Sequence, residues 1–435
     1  MNASYDSVRL RGALARRADA GLSSPRALAP LALALASAVA LMGGACSDDT
    51  VVPTPGTPDA GSTADAASDA GTTPDAGTPD TGTSPDAGAV DPGDVLDLGA
   101  VTLFGGKSTP VPFELPADVT SFMVVIEGPE SAWYVVETLD GPTGVLVSDD
   151  ASMVSNIERF LLGPYAAQFK SPNRVTQDWG ISAATFPNNP GVTVQGGAYT
   201  LVVGGLVPQG NAGMPYSGDV NVKIYLRRAV LERGKLDVHL YFTGAGGFTA
   251  DSARADTVMQ GALDALRTIY GQMNVTIGDV TYADVDAQYQ VITDLTNTGG
   301  DLDELFRLST GSGGLHLFFV SRFMGGFPGG MVAGISGGLP GAPGRVGTVG
   351  AGVAVGVDVV GMNPQTLAHV MAHEGGHWLG LFHTSEVTGT EDQHPETPGG
   401  QAGNMFLMYP AVGGGTQITQ SQGAVVRRHL TVLPE

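Results

Sequence analysis

Residues 373–383 read His-Glu-Gly-Gly-His-Trp-Leu-Gly-Leu-Phe-His, and the spacing of the polar residues in this stretch indicates both its local structure and its chemistry. His373 and His377 stand four residues apart, so on a helix they lie one turn apart on the same face. Two imidazoles on one face supply half of a tetrahedral zinc shell. Glu374, between them, is placed to take a proton from a metal-bound water. The stretch therefore predicts a helix that carries a metal site.

The chain after this helix can bring a third ligand to the same point. Gly380 can end the helix in a left-handed turn at low steric cost, and His383 can then supply a third nitrogen. Three protein ligands leave a fourth position for water, which is typical of a catalytic zinc site rather than a structural one. The alternative is an amphipathic core helix with hydrogen-bonded histidines. Five specified positions, with three of the eight histidines inside eleven residues, favour the metal site.

This stretch resembles the signature of the metzincin clan of zinc endopeptidases, His-Glu-x-x-His-x-x-Gly-x-x-His followed by a Met-turn. Residues 404–410, Asn-Met-Phe-Leu-Met-Tyr-Pro, resemble that turn, with Met408 as its methionine and Met405 as the second choice. The ending Leu-Met-Tyr-Pro looks like the matrixin branch, whereas residues 376–384 are closer to the pappalysin branch, so the subfamily stays open. Pro410 stands where some metzincins have a tyrosine that reaches the zinc, so no tyrosine ligand is expected.

The resemblance spans roughly residues 235–430 and implies a role for each matched residue. The three histidines would hold one catalytic zinc ion. Glu374 would act as the general base and pass the proton to the leaving amine. Met408 would form a hydrophobic floor under the zinc, and Tyr409 would help to shape the pocket for the residue that follows the cleaved bond.

The composition of the 435-residue chain limits its partners. A net charge of −22 argues against nucleic acid or an anionic membrane as a partner. Charged residues make up 15% of the chain and glycine occurs 64 times, which indicates many turns and a lightly charged surface. The single cysteine, Cys46, excludes an intrachain disulfide.

Residues 1–46 have the order of an export signal. Arginines precede an apolar run at 27–42, and small residues then lead to Cys46. This arrangement resembles a bacterial lipobox, in which Cys46 would carry the lipid after cleavage. Ser47 stands where an inner-membrane-retention aspartate could have stood, so the resemblance implies a lipid-anchored protein of the outer membrane or cell surface. The alternative is a plain secretory signal and a secreted protein, while Pro30 and the short run argue against a membrane-spanning helix.

Residues 47–94 form a low-complexity linker. Pro-Asp-Ala-Gly recurs at 58–61, 74–77 and 85–88, and the segment contains no lysine or arginine. Such a composition cannot bury enough apolar surface to offset the entropy lost on ordering. We therefore predict a disordered, extended tether between the anchor and the folded part.

Residues 95–228 predict an all-β sandwich of jelly-roll type. Short runs of β-branched and aromatic residues are split by Gly, Pro, Asn and Asp, and no long helical periodicity intervenes. This region shows no catalytic constellation, so we interpret it as a structural accessory domain. The predicted strands include 122–126, 134–136, 144–147, 199–203 and 220–225.

The pattern changes near residue 229, and residues 229–435 predict an α/β metzincin-like catalytic domain. Apolar residues at helical spacing indicate a long helix over 251–270. The motif helix should run from about Pro364 to Leu379, with Asn363 as its N-cap and Pro364 in its first turn. The predicted strands are 236–242, 275–277, 315–320, 331–336 and 353–357.

In metzincins an edge strand beside the cleft pairs with extended substrate, and residues 331–339 are the candidate here. Gly334, Ile335 and Ser336 would expose backbone donors and acceptors with little side-chain obstruction. An ordinary glycine-rich loop is the alternative interpretation.

Two further histidines and one loop complete the polar candidates. His369 lies one turn before the first motif histidine, and we assign it a core or supporting role because three ligands already suffice. His394 is predicted to be solvated. Its loop, 391–398, faintly resembles the Asp-Thr-Pro segment by which pappalysin-like enzymes hold calcium, with Glu396 in place of the aspartate. The sequence leaves open whether that loop is solvated or binds Ca²⁺.

Together these features predict a lipid-anchored, extracytoplasmic zinc endopeptidase that acts on protein or peptide substrates. One alternative is a surface adhesion or binding lipoprotein with a structural zinc site, which has no need of Glu374. The other is an amidase of cell-wall peptides, against which the Gly380 and His383 extension and the Met-turn argue. The sequence alone specifies neither the natural substrate nor the cleavage preference.

Overall fold

The computed structural model describes residues 45–48 and 94–435, apart from residues 210–211, 296–298, 312, 325–330, 387 and 412. The first strand, β1, covers Ala45–Asp48. Nearly all of the predicted export signal and linker therefore lies outside the described residues. Within them the fold is rich in β-structure with few helices, which confirms the predicted β-rich character.

Eleven antiparallel strands between residues 95 and 227 form the first sheet. We call residues 94–227 the β region. Its central path runs β7-β6-β10-β3-β2-β12-β5-β9, while β4 and β11 also pair with β10 and β8 pairs with β6. The strands are β2 (Val95–Phe104), β3 (Lys107–Ser108), β4 (Val111–Leu115), β5 (Ser121–Glu127), β6 (Trp133–Gly141), β7 (Gly144–Val147), β8 (Asp178–Trp179), β9 (Ile181–Phe186), β10 (Gly197–Gln209), β11 (Ala212–Pro215) and β12 (Gly218–Arg227).

Alternating apolar residues explain why these segments form strands around a core. In β12 the side chains of Val220, Val222, Ile224 and Leu226 are buried, while the residues between them are more exposed. In place of two separate stacked sheets, hydrogen bonds connect all eleven strands into one curled sheet, because the long strand β10 pairs with β4, β6 and β11.

Two short helices interrupt the predicted all-β pattern. They are α1 (Asn156–Leu162) and α2 (Ala166–Phe169), preceded by a 3-10 turn at Ala151–Met153. A capping box starts α1, since the amide of Glu158 donates to the Ser155 hydroxyl at 3.2 Å and the Ser155 amide donates to the Glu158 carboxylate at 2.8 Å. Local capping thus created a helix where strand propensity alone predicted none.

The second sheet has seven strands in the order β1-β18-β19-β16-β13-β14, with β20 pairing with β13. We call residues 234–435 the α/β region. Strands β14, β13, β16 and β19 are parallel, whereas β18 is antiparallel to β19. The strands are β13 (Gly234–Phe242), β14 (Val275–Asp284), β16 (Leu315–Val320), β18 (Met331–Ser336), β19 (Val353–Gly356) and β20 (Leu433–Pro434), and β15 (Val291–Ile292) pairs separately with β17 (Arg322–Phe323).

The described residues of the α/β region form six helices. One predicted helix differs from the structure. The helix predicted over 251–270 is divided in two, because the Asp256 side chain accepts from the amides of Val258 (2.8 Å) and Met259 (2.9 Å) and starts a new helix. The helices are α3 (Ala250–Ala253), α4 (Thr257–Gly271), α5 (Asp301–Phe306), α6 (Val357–Val360), α7 (Pro364–Trp378) and α8 (Gln420–Arg428), with 3-10 turns at Ala245–Gly247, Ala287–Gln290 and Gly400–Met405.

Helices α4 and α7 pack together on the parallel sheet, and the resulting core places the motif helix beside β18. Leu263 and Leu266 of α4, Met371 of α7 and Val355 of β19 belong to one buried cluster. Among the described residues no helix is long and apolar enough to cross a membrane.

The two regions touch through small apolar clusters. Phe169 of the β region packs with Leu339 and Phe382 of the α/β region. A second contact brings Met123 and its neighbours on β5 against Leu430. The end of α2 therefore lies next to the segment that follows α7.

Candidate metal centre

Helix α7 carries the motif, and its start is set by capping as the sequence predicted. The side chain of Asn363 accepts from the amides of Gln365 at 2.9 Å and Thr366 at 3.1 Å, and Pro364 occupies the first turn. Pro364–Trp378 agrees closely with the predicted helix, and all of its residues from Leu367 onward are buried.

The turn after α7 also forms as predicted. Gly380 has φ of 101°, a conformation that side chains with a Cβ rarely adopt. Its amide donates to the carbonyl of His377 at 2.8 Å, and the Leu381 amide donates to the Gly376 carbonyl at 2.9 Å. This closure satisfies the last carbonyls of the helix and turns the chain back, so that His383 faces the helix.

Three imidazoles meet at one point. The Nε2 atom of His377 lies 3.1 Å from Nε2 of His373 and 3.1 Å from Nε2 of His383. All three residues are buried: His373 is 1% exposed, His377 is 0% exposed and His383 is 3% exposed. Within the described residues this is the one group of three or more such side chains that could hold a metal ion.

In each histidine the hydrogen-bond partner of Nδ1 determines which ring nitrogen carries the proton. Nδ1 of His373 lies 2.7 Å from the Leu407 carbonyl, and Nδ1 of His377 lies 2.7 Å from the Leu381 carbonyl. Nδ1 of His383 lies 3.0 Å from the Glu386 carboxylate. Carbonyl and carboxylate oxygens only accept, so each Nδ1 carries a proton, and a neutral ring in this tautomer presents its lone pair at Nε2.

Three converging lone pairs fit a metal ion. Nitrogens bound to tetrahedral zinc at about 2.0–2.1 Å lie about 3.3 Å from one another, close to the observed spacing. Burial lowers the pKa of His373 and of His377 well below the usual range, and the neighbouring histidines lower it further. The two imidazoles are therefore neutral at pH 7, as metal ligands must be.

Glu374 is fully buried next to the triad, and its space depends on a glycine of β18. A Cβ atom at Gly334 would lie 2.5 Å from Cγ and 3.0 Å from Cδ of Glu374, and 2.9 Å from Val370. These distances are shorter than real Cβ contacts allow. Gly334, predicted to contact substrate, therefore also makes room for the Glu374 side chain.

The structure distinguishes between the two methionines of the predicted Met-turn. Met408 is 0% exposed, and its Sδ atom would lie 2.8 Å from a Cβ built on Gly376 of α7. Met405 is 48% exposed. Met408 thus packs beneath the motif helix, while Tyr409 beside it is half-buried.

The predicted substrate-binding strand forms and lies at the edge of the parallel strands. Gly334, Ile335 and Ser336 belong to β18 and pair on one side with β19. On its other side β18 pairs antiparallel with β1, where Ala45 lies opposite Ile335. Cys46, the predicted lipidation site, lies within β1.

His369 is buried on α7 with its ring centroid 5.9 Å from that of His373, and burial lowers its pKa to about 4. It lies outside the convergent triad, in agreement with the core or supporting role predicted for it.

The prediction that His394 is solvated is wrong. The residue is 6% exposed and its Nδ1 lies 2.8 Å from the hydroxyl of Ser421 at the start of α8. The Ser421 hydroxyl also donates to Glu396 at 2.6 Å, so α8 holds the loop in place. Burial raises the pKa of Asp392 in this loop to about 6. Among the described residues, this loop contains no group of three or more His, Cys, Asp or Glu side chains placed to hold one ion.

Two residues near the triad escaped sequence reasoning. Glu386 follows His383 by three positions, a spacing that could have suggested a hydrogen bond to the ligand. Arg174 lies in the β region and pairs with Glu386. No pattern in the sequence connects it to the motif.

Similarity to known proteins is found in solved structures, at low sequence identity. No family model matches the sequence, and no curated protein matches it. A solved structure, metalloproteinase-II from Bacteroides fragilis, is similar over 46% of this chain and 58% of its own, at 12% identity and a TM-score of 0.24. A family two carbohydrate esterase from Clostridium thermocellum, in complex with cellohexaose, covers 52% of this chain and 65% of its own at 13% identity and a TM-score of 0.13. The chain thus spans less than two thirds of either structure.

Proposed function

We propose that the chain is a zinc-dependent endopeptidase of metzincin type. The observation that carries the proposal is the convergence of three buried Nε2 lone pairs, each fixed by an acceptor at Nδ1. Neutral lone pairs at this spacing repel one another unless a cation lies between them. Helix α7, the turn at Gly380 and the buried Met408 add the elements that the metzincin resemblance implies.

His373, His377 and His383 would hold the zinc, and a fourth position would stay open. Bound zinc would polarise the scissile carbonyl and make water more acidic. Glu374, adjacent to the first ligand and shielded from bulk solvent, would accept the proton of the attacking water and pass it to the leaving amine. Met408 would support the site from below without binding the metal.

The edge strand supports a peptide as substrate. An extended segment of the same chain, Ala45–Asp48, already pairs antiparallel with β18. A peptide substrate would use the same backbone donors and acceptors, which gives affinity without depending on particular side chains. Gly334 would bring the peptide backbone close to Glu374 because no side chain stands between them.

Metal content and peptide cleavage test the proposal together. Purified protein should contain close to one zinc ion per chain, and His373→Ala should abolish metal binding. Residues 94–435 should digest a proteome-derived peptide library, and a chelator should stop the digestion. Folded wild-type protein that binds no zinc would contradict the proposal. Zinc without cleavage would favour the adhesion lipoprotein, and cleavage of cell-wall peptides alone would favour the amidase.

We propose further that Cys46 carries a lipid and anchors the exported protein to a membrane, in the outer membrane or at the cell surface. The small residues before Cys46 and the basic and apolar segments before them support this localisation. Cys46→Ser should move the protein from the membrane fraction to the soluble extracytoplasmic fraction. Unchanged partitioning would indicate a plain signal or a retained helix instead.

A further inference from the structure

We propose that Arg174 of the β region is a positioning residue for the third metal ligand, His383. This inference rests on the proposed function, since it takes the three histidines to bind zinc. It assigns to the β region a direct part in building the metal site, beyond the accessory role that its sequence indicates.

The support of His383 differs from that of the other two ligands. His373 and His377 donate to main-chain carbonyls of Leu407 and Leu381. Nδ1 of His383 instead donates to the carboxylate of Glu386, whose side chain is 8% exposed. A carboxylate in this position fixes the ring and increases its basicity as a ligand. A buried carboxylate is stable as an anion only with a counter-charge.

Arg174 supplies that counter-charge. Its Nη1 atom lies 3.6 Å from Oε1 of Glu386, while Oε2 of the same carboxylate faces His383. The other terminal nitrogen, Nη2, donates to the Glu391 carbonyl at 2.6 Å. One guanidinium therefore holds two points of the loop that begins at His383.

The guanidinium has little freedom to move. The Arg174 side chain is 3% exposed and lies between two aromatic rings, 4.5 Å from the centroid of Phe169 and 4.9 Å from that of Phe382. Phe169 belongs to the β region, whereas Phe382 directly precedes His383. Lysine could not replace this planar group, because it lacks the fork and stacks less well.

The main chain around Arg174 is itself fixed within the β region. The Asn188 side-chain amide donates to the Arg174 carbonyl at 2.6 Å. The carbonyl of Ser171, three residues earlier, accepts from the side chain of Gln393 at 2.6 Å, and Gln393 lies in the loop 383–397. The β region thus contacts the loop at several points. Arg174 is the contact that reaches His383, through the carboxylate of Glu386.

A second ion pair between the regions offers a matched control. Nη2 of Arg345 lies 2.7 Å from Oε2 of Glu127 on β5, so this pair joins the same two regions without involving the loop 383–397. If Arg174 acts only as a tether, Arg174→Met and Arg345→Met should have similar consequences. If it positions His383, only Arg174→Met should change metal binding.

The experiment measures zinc dissociation constants of the full chain by chelator competition, together with the visible spectrum of the cobalt(II) form and the unfolding midpoint of the zinc-free protein. Arg174→Met and Glu386→Gln should each weaken zinc binding about 10-fold to 100-fold. The double variant should bind zinc about as tightly as either single variant does, because both substitutions act through His383. Arg345→Met should keep the wild-type zinc constant and cobalt spectrum.

Several results would overturn the inference. These are a folded Arg174→Met with the wild-type zinc constant, an equal effect of Arg345→Met, and additive effects of Arg174→Met and Glu386→Gln. If Arg174→Met does not fold, Arg174→Lys and the nearly isosteric Glu386→Gln give the same comparison. Wild-type protein that binds no zinc would contradict the proposed function itself, whereas zinc binding that is insensitive to Arg174 would contradict this inference alone.

Discussion

The β region and the α/β region differ in their histidine content. All eight histidines fall between residues 239 and 429, and the β region has none. Its strands are joined in antiparallel order around an apolar core, whereas the α/β region places a helix and a turn beside the edge of a mainly parallel sheet. The candidate chemistry is thus local, within residues 373–408. The support of one candidate ligand, His383, is not local, because it crosses from one region to the other.

Replacing Glu374, the proposed general base, should have the largest effect on peptide cleavage. Glu374→Gln should lower the rate of peptide cleavage about a hundredfold to ten-thousandfold, because a base of this kind contributes that much. Zinc content should stay at the wild-type value, since Glu374 is not one of the three converging ligands. Cleavage rate and metal content are measured on the same preparation. Full activity in this variant would place the chemistry elsewhere, and loss of zinc would make Glu374 a structural residue.

A methyl group on the edge strand should have the next largest effect. Gly334→Ala would place Cβ 2.5 Å from Glu374 Cγ, so the carboxylate must move. We expect kcat to fall about 10-fold to 100-fold, as displaced catalytic groups typically cause, while zinc is retained. Gly271→Ala is the control, because nothing lies within 4 Å of its Cβ position. Similar kinetics for both variants would show that Gly334 does not govern the position of Glu374.

The distribution of histidines predicts an acid sensitivity that belongs to the α/β region. Burial lowers the pKa of His394 to about 4, so it is uncharged in the folded protein, while its pKa in the unfolded chain is close to 6.5. Between these values the unfolded state binds more protons, so the free energy of unfolding falls as the pH decreases from about 6.5 towards 4.

One such group changes the free energy of unfolding by about 1.4 kcal/mol per pH unit. In zinc-free protein, His394→Gln should therefore reduce the pH slope by up to one proton, as measured by urea unfolding at several pH values between 7.5 and 4.5. An unchanged slope would show that His394 is protonated, or solvated, in the folded state. His316, His369 and His429, whose pKa values burial also lowers, should retain their own contributions.

Removal of β1 should have the smallest effect. Ala45–Asp48 and an extended substrate cannot pair with the same edge of β18. If β1 occupies the edge half of the time, the apparent KM for a short peptide is about doubled, so residues 49–435 should show a KM about twofold or more below that of residues 45–435. Residues 94–435 should behave like residues 49–435. Equal KM values for all three would show that substrate does not use this edge.

Sequence reasoning succeeded where a few neighbouring residues determine a conformation. Asn363 and Pro364 set the start of α7, and Gly380 set its end, since capping and a left-handed turn depend on nearby backbone groups alone. The same kind of local signal acts at Asp256, whose side chain caps a new helix and divides the helix predicted over 251–270. Strand positions followed from alternating apolar residues, but the connection of eleven strands into one curled sheet depends on pairings that alternation does not specify.

Spacing along one helix and one turn was enough to assign His373, His377 and His383 to the candidate metal centre, because it fixes the direction of their side chains. How that centre is supported depends on contacts that form when the chain is folded. The tertiary structure separated Met408 from Met405 by burial, buried His394 against α8, placed Gly334 against Glu374 and brought Arg174 to Glu386. These contacts join residues that are distant along the chain, and their partners are set by how the two sheets pack rather than by any local pattern.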